Sequence, residues 1–123
     1  MRKQESFTFE AAHTLERALH TGASRRIHGH SYRAAVALRG TADPHTGMLV
    51  DLGAFDQLLT ETKNLLDHRF LDDIPDLGSA TMENLAAWIW RRMAPLASGL
   101  FKVMVYRDSQ GDACTYYGPA ATP

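Results

Sequence analysis

The chain has 123 residues, 45% hydrophobic and 22% charged, with a formal net charge of −1, the composition of a single soluble domain with a sizeable core. No basic stripe favours a nucleic-acid backbone, and no apolar run approaches the ~20 residues of a membrane span. The amino-terminal residues lack a signal peptide's apolar core, and the one cysteine, Cys114, cannot pair within the chain, so a reducing, cytoplasmic setting is expected.

The first element is an alternating run, Phe7-Thr8-Phe9-Glu10-Ala11-Ala12-His13, which reads as a strand. From about Ile27 to Arg39 a second strand follows, with Tyr32, Val36 and Leu38 on the face that carries His28 and His30. Residues 40–47 are dense in turn formers, and Met48-Leu49-Val50 could extend a strand. Asp51 is placed to cap a helix whose apolar face is Leu52, Phe55, Leu58, Leu59, Thr62, Leu65 and Leu66. Residues 72–78 end that helix. Thr81 is the N-cap expected for a second helix, with Glu83 at its positive end, Leu85, Trp88 and Ile89 on its apolar face, and Pro95 beyond its close. Phe101 to Tyr106 and Cys114 to Tyr117 are strands around the turn Ser109-Gln110-Gly111-Asp112. The order β-β-α-α-β-β describes an α+β domain, a four-stranded antiparallel sheet with both helices on one face. Its open edges make self-association an expectation.

Three histidines carry the chemistry. His28 and His30 are two apart, so in a strand both imidazoles share a face, and His13 ends the preceding strand. If the two strands are hairpin partners, three neutral nitrogens can hold a zinc ion, with a fourth position open for water or substrate. His20 and His45 sit among turn residues and are given no metal role. Asp67 precedes His68 at the end of the first helix. By residue type alone the pair is either a helix terminus that suits the dipole or a carboxylate that orients an imidazole. Ser24, upstream of His28, is a loop residue unless an activator adjoins it, Arg25 and Arg26 are a basic pair, and Asp108 is a turn residue.

Four segments in order, residues 9–13, 28–32, 43–51 and 66–71, resemble the 6-pyruvoyl-tetrahydropterin synthase and 6-carboxytetrahydropterin synthase family, and the likeness runs from about Phe7 to Gly118. The resemblance implies the tunnelling fold, in which trimers close their sheets into a barrel and stack as hexamers with active sites at subunit interfaces. It implies zinc on His13, His28 and His30, and a pterin substrate, 7,8-dihydroneopterin triphosphate. In the bacterial branch the product is 6-carboxytetrahydropterin, a step toward queuosine. It also makes Asp67 and His68 a catalytic pair and Thr81 a substrate-binding residue.

Two positions depart from the family pattern. Ser24 stands where the family has a catalytic cysteine four residues before His28, and a serine hydroxyl is a poor base unless His68 reaches it. Glu16 and His20, on the preceding loop, are the alternative candidates for that base. Where the family anchors the pterin with glutamate, ungapped alignment gives Arg107. One extra residue in the strand would bring Asp108 there, and a carboxylate can accept two parallel hydrogens from an amino-imine edge, which arginine cannot. The expectation is therefore a zinc-dependent lyase of the 6-carboxytetrahydropterin synthase type with Asp108 as anchor. The alternatives are an aldolase-like side-chain cleavage and a catalytically silent pterin- or purine-binding oligomer.

Overall fold

The computed structural model describes residues 1–14 and 27–119. Two long strands, β1 (Arg2–His13) and β2 (His28–Arg39), pair antiparallel along their whole length, from Arg2 opposite Arg39 to His13 opposite His28. The alternation of β1 sets its two faces. Phe7, Phe9, Ala11 and His13 are buried on one, whereas Thr8 and Glu10 are exposed on the other.

Helix α1 (Leu52–Leu66) begins at Asp51, whose side chain makes no capping bond, and ends at Asp67. The short strand β3 (Arg69–Phe70) follows, then a 3₁₀ turn over Leu71–Asp73. Helix α2 (Met82–Met93) is capped as expected, because the Thr81 side chain accepts from the Asn84 N–H at 3.1 Å. Strand β4 (Leu100–Arg107), a 3₁₀ turn over Asp108–Gln110 and strand β5 (Asp112–Tyr116) complete the described chain.

The sheet order is β3-β1-β2-β4-β5. The expected four antiparallel strands are present, but β3 joins β1 in parallel, so the sheet is mixed and has five strands. Residues 48–50 add no strand; they bend toward α1 instead. One irregularity interrupts the β2–β4 ladder. Leu38 pairs with Leu100 and Ala37 with Lys102, which leaves Phe101 as an extra residue.

Both helices cover one face. Phe55, Leu58, Leu59 and Leu66 from α1, and Leu85, Ile89 and Met93 from α2, pack on Phe9, Tyr32, Val36, Leu38, Val103 and Val105. Each fully buried side chain of this size is worth roughly 1.5–3 kcal/mol. Phe9 stacks on Tyr32 with ring centroids 4.9 Å apart, which fixes the register of β1 on β2 just before the histidines. No helix among the described residues is long and apolar enough to cross a membrane.

Candidate metal centre and ligand cavity

The β1–β2 register brings the three histidines together. His13 lies opposite His28, and Ala11 opposite His30, so all three rings extend the covered face beyond Tyr32. Ring centroids are 4.5 Å apart for His13 and His28, 4.9 Å for His13 and His30, and 5.1 Å for His28 and His30. One nitrogen from each lies within 4.8 Å of the others. His13 is 3% exposed, yet among the described residues neither of its ring nitrogens has a hydrogen-bond partner. A buried polar atom left unpaired costs about 1–3 kcal/mol, so a fold that retains two of them on one ring is shaped for something that binds there.

Electrostatics favour the ligating form of the rings. Burial, followed by the neighbouring imidazoles and Arg107, lowers His30 to about 4. Burial and His28 lower His13 as well. Both are therefore neutral near pH 7, as a metal requires. The Gln110 side-chain amide lies 3.1 Å from His30 Nδ1 and holds that ring from behind. Sequence reasoning read Gln110 only as part of a turn.

A cavity of about 350 Å³ opens beside His13, lined by Tyr32, Thr81, Glu83, Arg107 and Asp112 among others. Thr81 and Glu83 reach it because the start of α2 overhangs the end of the sheet. Arg107 faces it because it keeps the parity of Val103 and Val105, and its guanidinium forms a two-pronged ion pair with Asp112. Burial pushes the Tyr32 hydroxyl up to about 12, so it remains a donor in this wall.

Asp108 lies elsewhere. Its carboxylate accepts from Arg33 Nε at 2.9 Å and Nη2 at 3.2 Å, and Arg33 points to the face of β2 opposite Tyr32. The extra residue postulated before Asp108 does exist, but at Phe101. It comes too early to exchange the sides of Arg107 and Asp108. Two carboxylates line the cavity, Asp112, which is engaged by Arg107, and Glu83, which sequence reasoning had treated only as a helix-dipole partner.

Asp67 and His68 meet as a pair, with Asp67 Oδ2 3.2 Å from His68 Nδ1. They lie beside β1, where the His68 ring is exposed and helps to line a second cavity of about 440 Å³ with Glu10, Gly29, His30 and Ser31. Hydrogen bonding from the Glu10 N–H, with smaller help from His68, holds the Asp67 carboxyl below its usual range. Ser24, with Glu16, His20, Arg25 and Arg26, lies outside the described residues.

Residues 3–119 match the family model for 6-pyruvoyl tetrahydropterin synthase. The chain belongs to that family. It is 37% identical over 125 residues to the 6-carboxy-5,6,7,8-tetrahydropterin synthase of Synechocystis sp., covering 97% of this chain and 95% of the relative. It is 35% identical over 98 residues to the human 6-pyruvoyl tetrahydrobiopterin synthase, covering 74% of this chain and 66% of the human protein. The Caenorhabditis elegans 6-pyruvoyl tetrahydropterin synthase structure superposes with a TM-score of 0.82 at 27% identity, covering 97% of this chain and 96% of the other. The family's α+β tunnelling fold is thus the fold of this chain.

Proposed function

We propose that this chain is a zinc-dependent lyase acting on the side chain of 7,8-dihydroneopterin triphosphate, in the manner of 6-carboxytetrahydropterin synthase. The observation that carries the reading is His13, buried between two further imidazoles with both ring nitrogens unpaired among the described residues. His13, His28 and His30 would hold the metal, which when bound polarises the side-chain oxygens and makes the adjoining C–H more acidic.

The remaining residues divide the work of holding the ring and moving protons. Glu83 offers two acceptor oxygens to the amino-imine edge of a pterin, and it has no hydrogen-bond partner of its own among the described residues. Asp67 orients His68 by taking the Nδ1 side, which leaves Nε2 directed outward to exchange a proton. Ser24 stands at the position of the family cysteine and becomes a competent base only with His68 beside it.

The Asp67–His68 pair lies at the β3 edge of the sheet, and the Glu83 cavity lies at the side of β4 and β5. In a homo-oligomer the pair of one copy would meet the cavity of the next at a subunit interface. Open edges at β3 and β5, with Ile27 and Leu52 exposed, support a homo-oligomer of the hexameric, two-trimer kind.

The deciding experiment is incubation of the purified protein with 7,8-dihydroneopterin triphosphate, with products read by mass. Release of 6-carboxytetrahydropterin, acetaldehyde and triphosphate, with uptake of water, is expected. A shortened pterin side chain from retro-aldol cleavage, or saturable binding without turnover, would replace the reading by one of the alternatives, for which the serine at position 24 is the supporting feature.

A further inference from the structure

At the end of the sheet remote from the histidines, three cations surround one aromatic ring. The Phe101 ring centroid lies 5.2 Å from Arg2 Cζ, 5.4 Å from Arg39 Cζ and 5.8 Å from Lys102 Nζ. Arg2 and Arg39 are also direct cross-strand partners, an arrangement in which like charges destabilise a sheet. Among the described residues none of the three has a carboxylate within ion-pair distance.

The backbone is shaped to produce this cluster. Phe101 is the extra residue of the β2–β4 bulge, and a bulge of this type re-aims one side chain out of the regular alternation. Just before it, Gly99 has φ +86°, and a Cβ there would collide with the backbone oxygen of Arg39. The Arg39 N–H donates to the Gly99 oxygen at 2.9 Å, so the glycine holds the turn against the arginine. A cavity of about 450 Å³ opens on the cluster, with Trp90 and the exposed Tyr117 in its wall.

Cation–π contacts at exposed sites contribute about 0.5–1 kcal/mol each. They attract each cation to the ring, but they do not remove the mutual repulsion of three charges gathered there. In a chain of net charge −1, a concave, aromatic-walled cluster of three cations with no carboxylate partner among the described residues is complementary to a compact polyanion. We infer that the cavity formed by Arg2, Arg39, Phe101 and Lys102 is a binding site for a phosphate-bearing small molecule, the three cations taking the phosphates and Trp90 and Tyr117 the remainder. The site begins at the first residue of a strand that ends in His13, about 36 Å away at ~3.3 Å per residue. It stands independently of the metal centre.

The test is calorimetric titration of the zinc-loaded protein with inorganic triphosphate, adenosine triphosphate and adenosine at low salt, with Trp90 fluorescence as a second readout. Saturable binding of both phosphates and none of adenosine is expected. Affinity should fall with rising salt, and at least about tenfold in Arg39→Gln/Lys102→Gln, which removes two of three charge-assisted contacts. Saturable phosphate binding at this cavity should persist in the same titration of His30→Ala. A tighter adenosine triphosphate assigns the aromatic wall to the base; equal affinities assign the site to phosphates alone. No saturable binding, or binding that survives the double substitution and disappears in His30→Ala, would overturn the inference. Circular dichroism of each variant, together with the milder Lys102→Gln alone, separates lost binding from lost folding.

Discussion

The backbone N–H of Glu10 donates to Asp67 Oδ1 at 2.8 Å, and the Glu10 carbonyl accepts from the His68 N–H at 2.6 Å. Strand β1 thus grips both residues of the pair at the end of α1. Because Asp67 Oδ2 is then committed to His68 Nδ1, one carboxylate fixes both the position of its neighbour and its tautomer. Asp67→Asn retains an oxygen for the Glu10 N–H but presents NH₂ to Nδ1, which selects the wrong tautomer. Turnover should fall by roughly 10²–10⁴-fold, the scale seen when an orienting carboxylate is neutralised in a catalytic triad, with little change in melting temperature. Near-normal turnover would remove Asp67 from the chemistry.

The same geometry determines a pH dependence. The Asp67 carboxyl is held below its ordinary range, so its stabilising contribution is fully present above the unfolded value and is lost only as pH falls through the still lower folded value. An acid limb of activity near pH 5 to 7 therefore belongs to another group. In Asp67→Asn any such limb should persist while the plateau drops; its disappearance would assign the limb to Asp67.

Metal removal provides a separate check. The purified protein is expected to hold about one zinc per chain, and His30→Ala should lose it while remaining folded, because His30 is only half-buried. Chelation should lower the melting temperature of the native protein but leave that of His30→Ala unmoved, since a ligand stabilises only the form that binds it. Equal responses to chelator in the two proteins would argue against a site on these rings.

The histidines and both helices were legible in the sequence because each obeys a local period. His28 and His30 share a face by the strand's period of two, and α1 and α2 follow the helix's three-and-four spacing. Strand β3 was not legible, since Arg69 and Phe70 are too few to show alternation and their pairing depends on β1, far away in the chain. That Asp108 pairs with Arg33, away from the cavity beside His13, was hidden for a related reason. The chain does contain an extra strand residue, but whether it falls at Phe101 or beside Arg107 is decided by the ladder with β2, which no local pattern reveals. Glu83 went unnoticed because a first-turn glutamate is ordinary, and only the overhang of α2 on the sheet turns it into a cavity wall.

Glu83 can be tested directly as the pterin anchor. Glu83→Gln keeps one acceptor and sets an NH₂ against the ligand's own donor, so it weakens ring binding without touching the metal. KM should rise roughly 10- to 100-fold, the cost of one lost charge-assisted hydrogen bond, with kcat changed much less. Asp108→Asn, whose carboxylate is taken up by Arg33, should leave KM unmoved. The reverse pattern would return the anchor to Asp108.

At position 24 the expectation runs toward gain. A thiol ionises near pH 8.5 and lower still beside a cation, whereas a serine hydroxyl needs a neighbour to take its proton. Ser24→Cys should therefore raise lyase turnover on 7,8-dihydroneopterin triphosphate and shift its dependence on His68 from obligatory to partial. The comparison is between Ser24→Cys and Ser24→Cys/His68→Ala under identical zinc loading. Unchanged turnover in the single variant would mean that another residue already serves as base.

A stability prediction concerns two glycines with similar backbones and different surroundings. Gly111 has φ +71° with nothing within 4 Å of the place a Cβ would take, whereas at Gly118, φ +94°, a Cβ would lie 2.6 Å from the Trp90 ring. Alanine at either position incurs about 1–2 kcal/mol of left-handed strain. At Gly118 it must also displace Trp90, whose ring meets Tyr116 edge-on at 5.7 Å, and overpacking of this kind adds about 1–3 kcal/mol. Urea unfolding should rank Gly118→Ala clearly below Gly111→Ala. Because the strain is common to both, the difference between them measures the collision alone, and equal midpoints would mean that Trp90 moves aside freely.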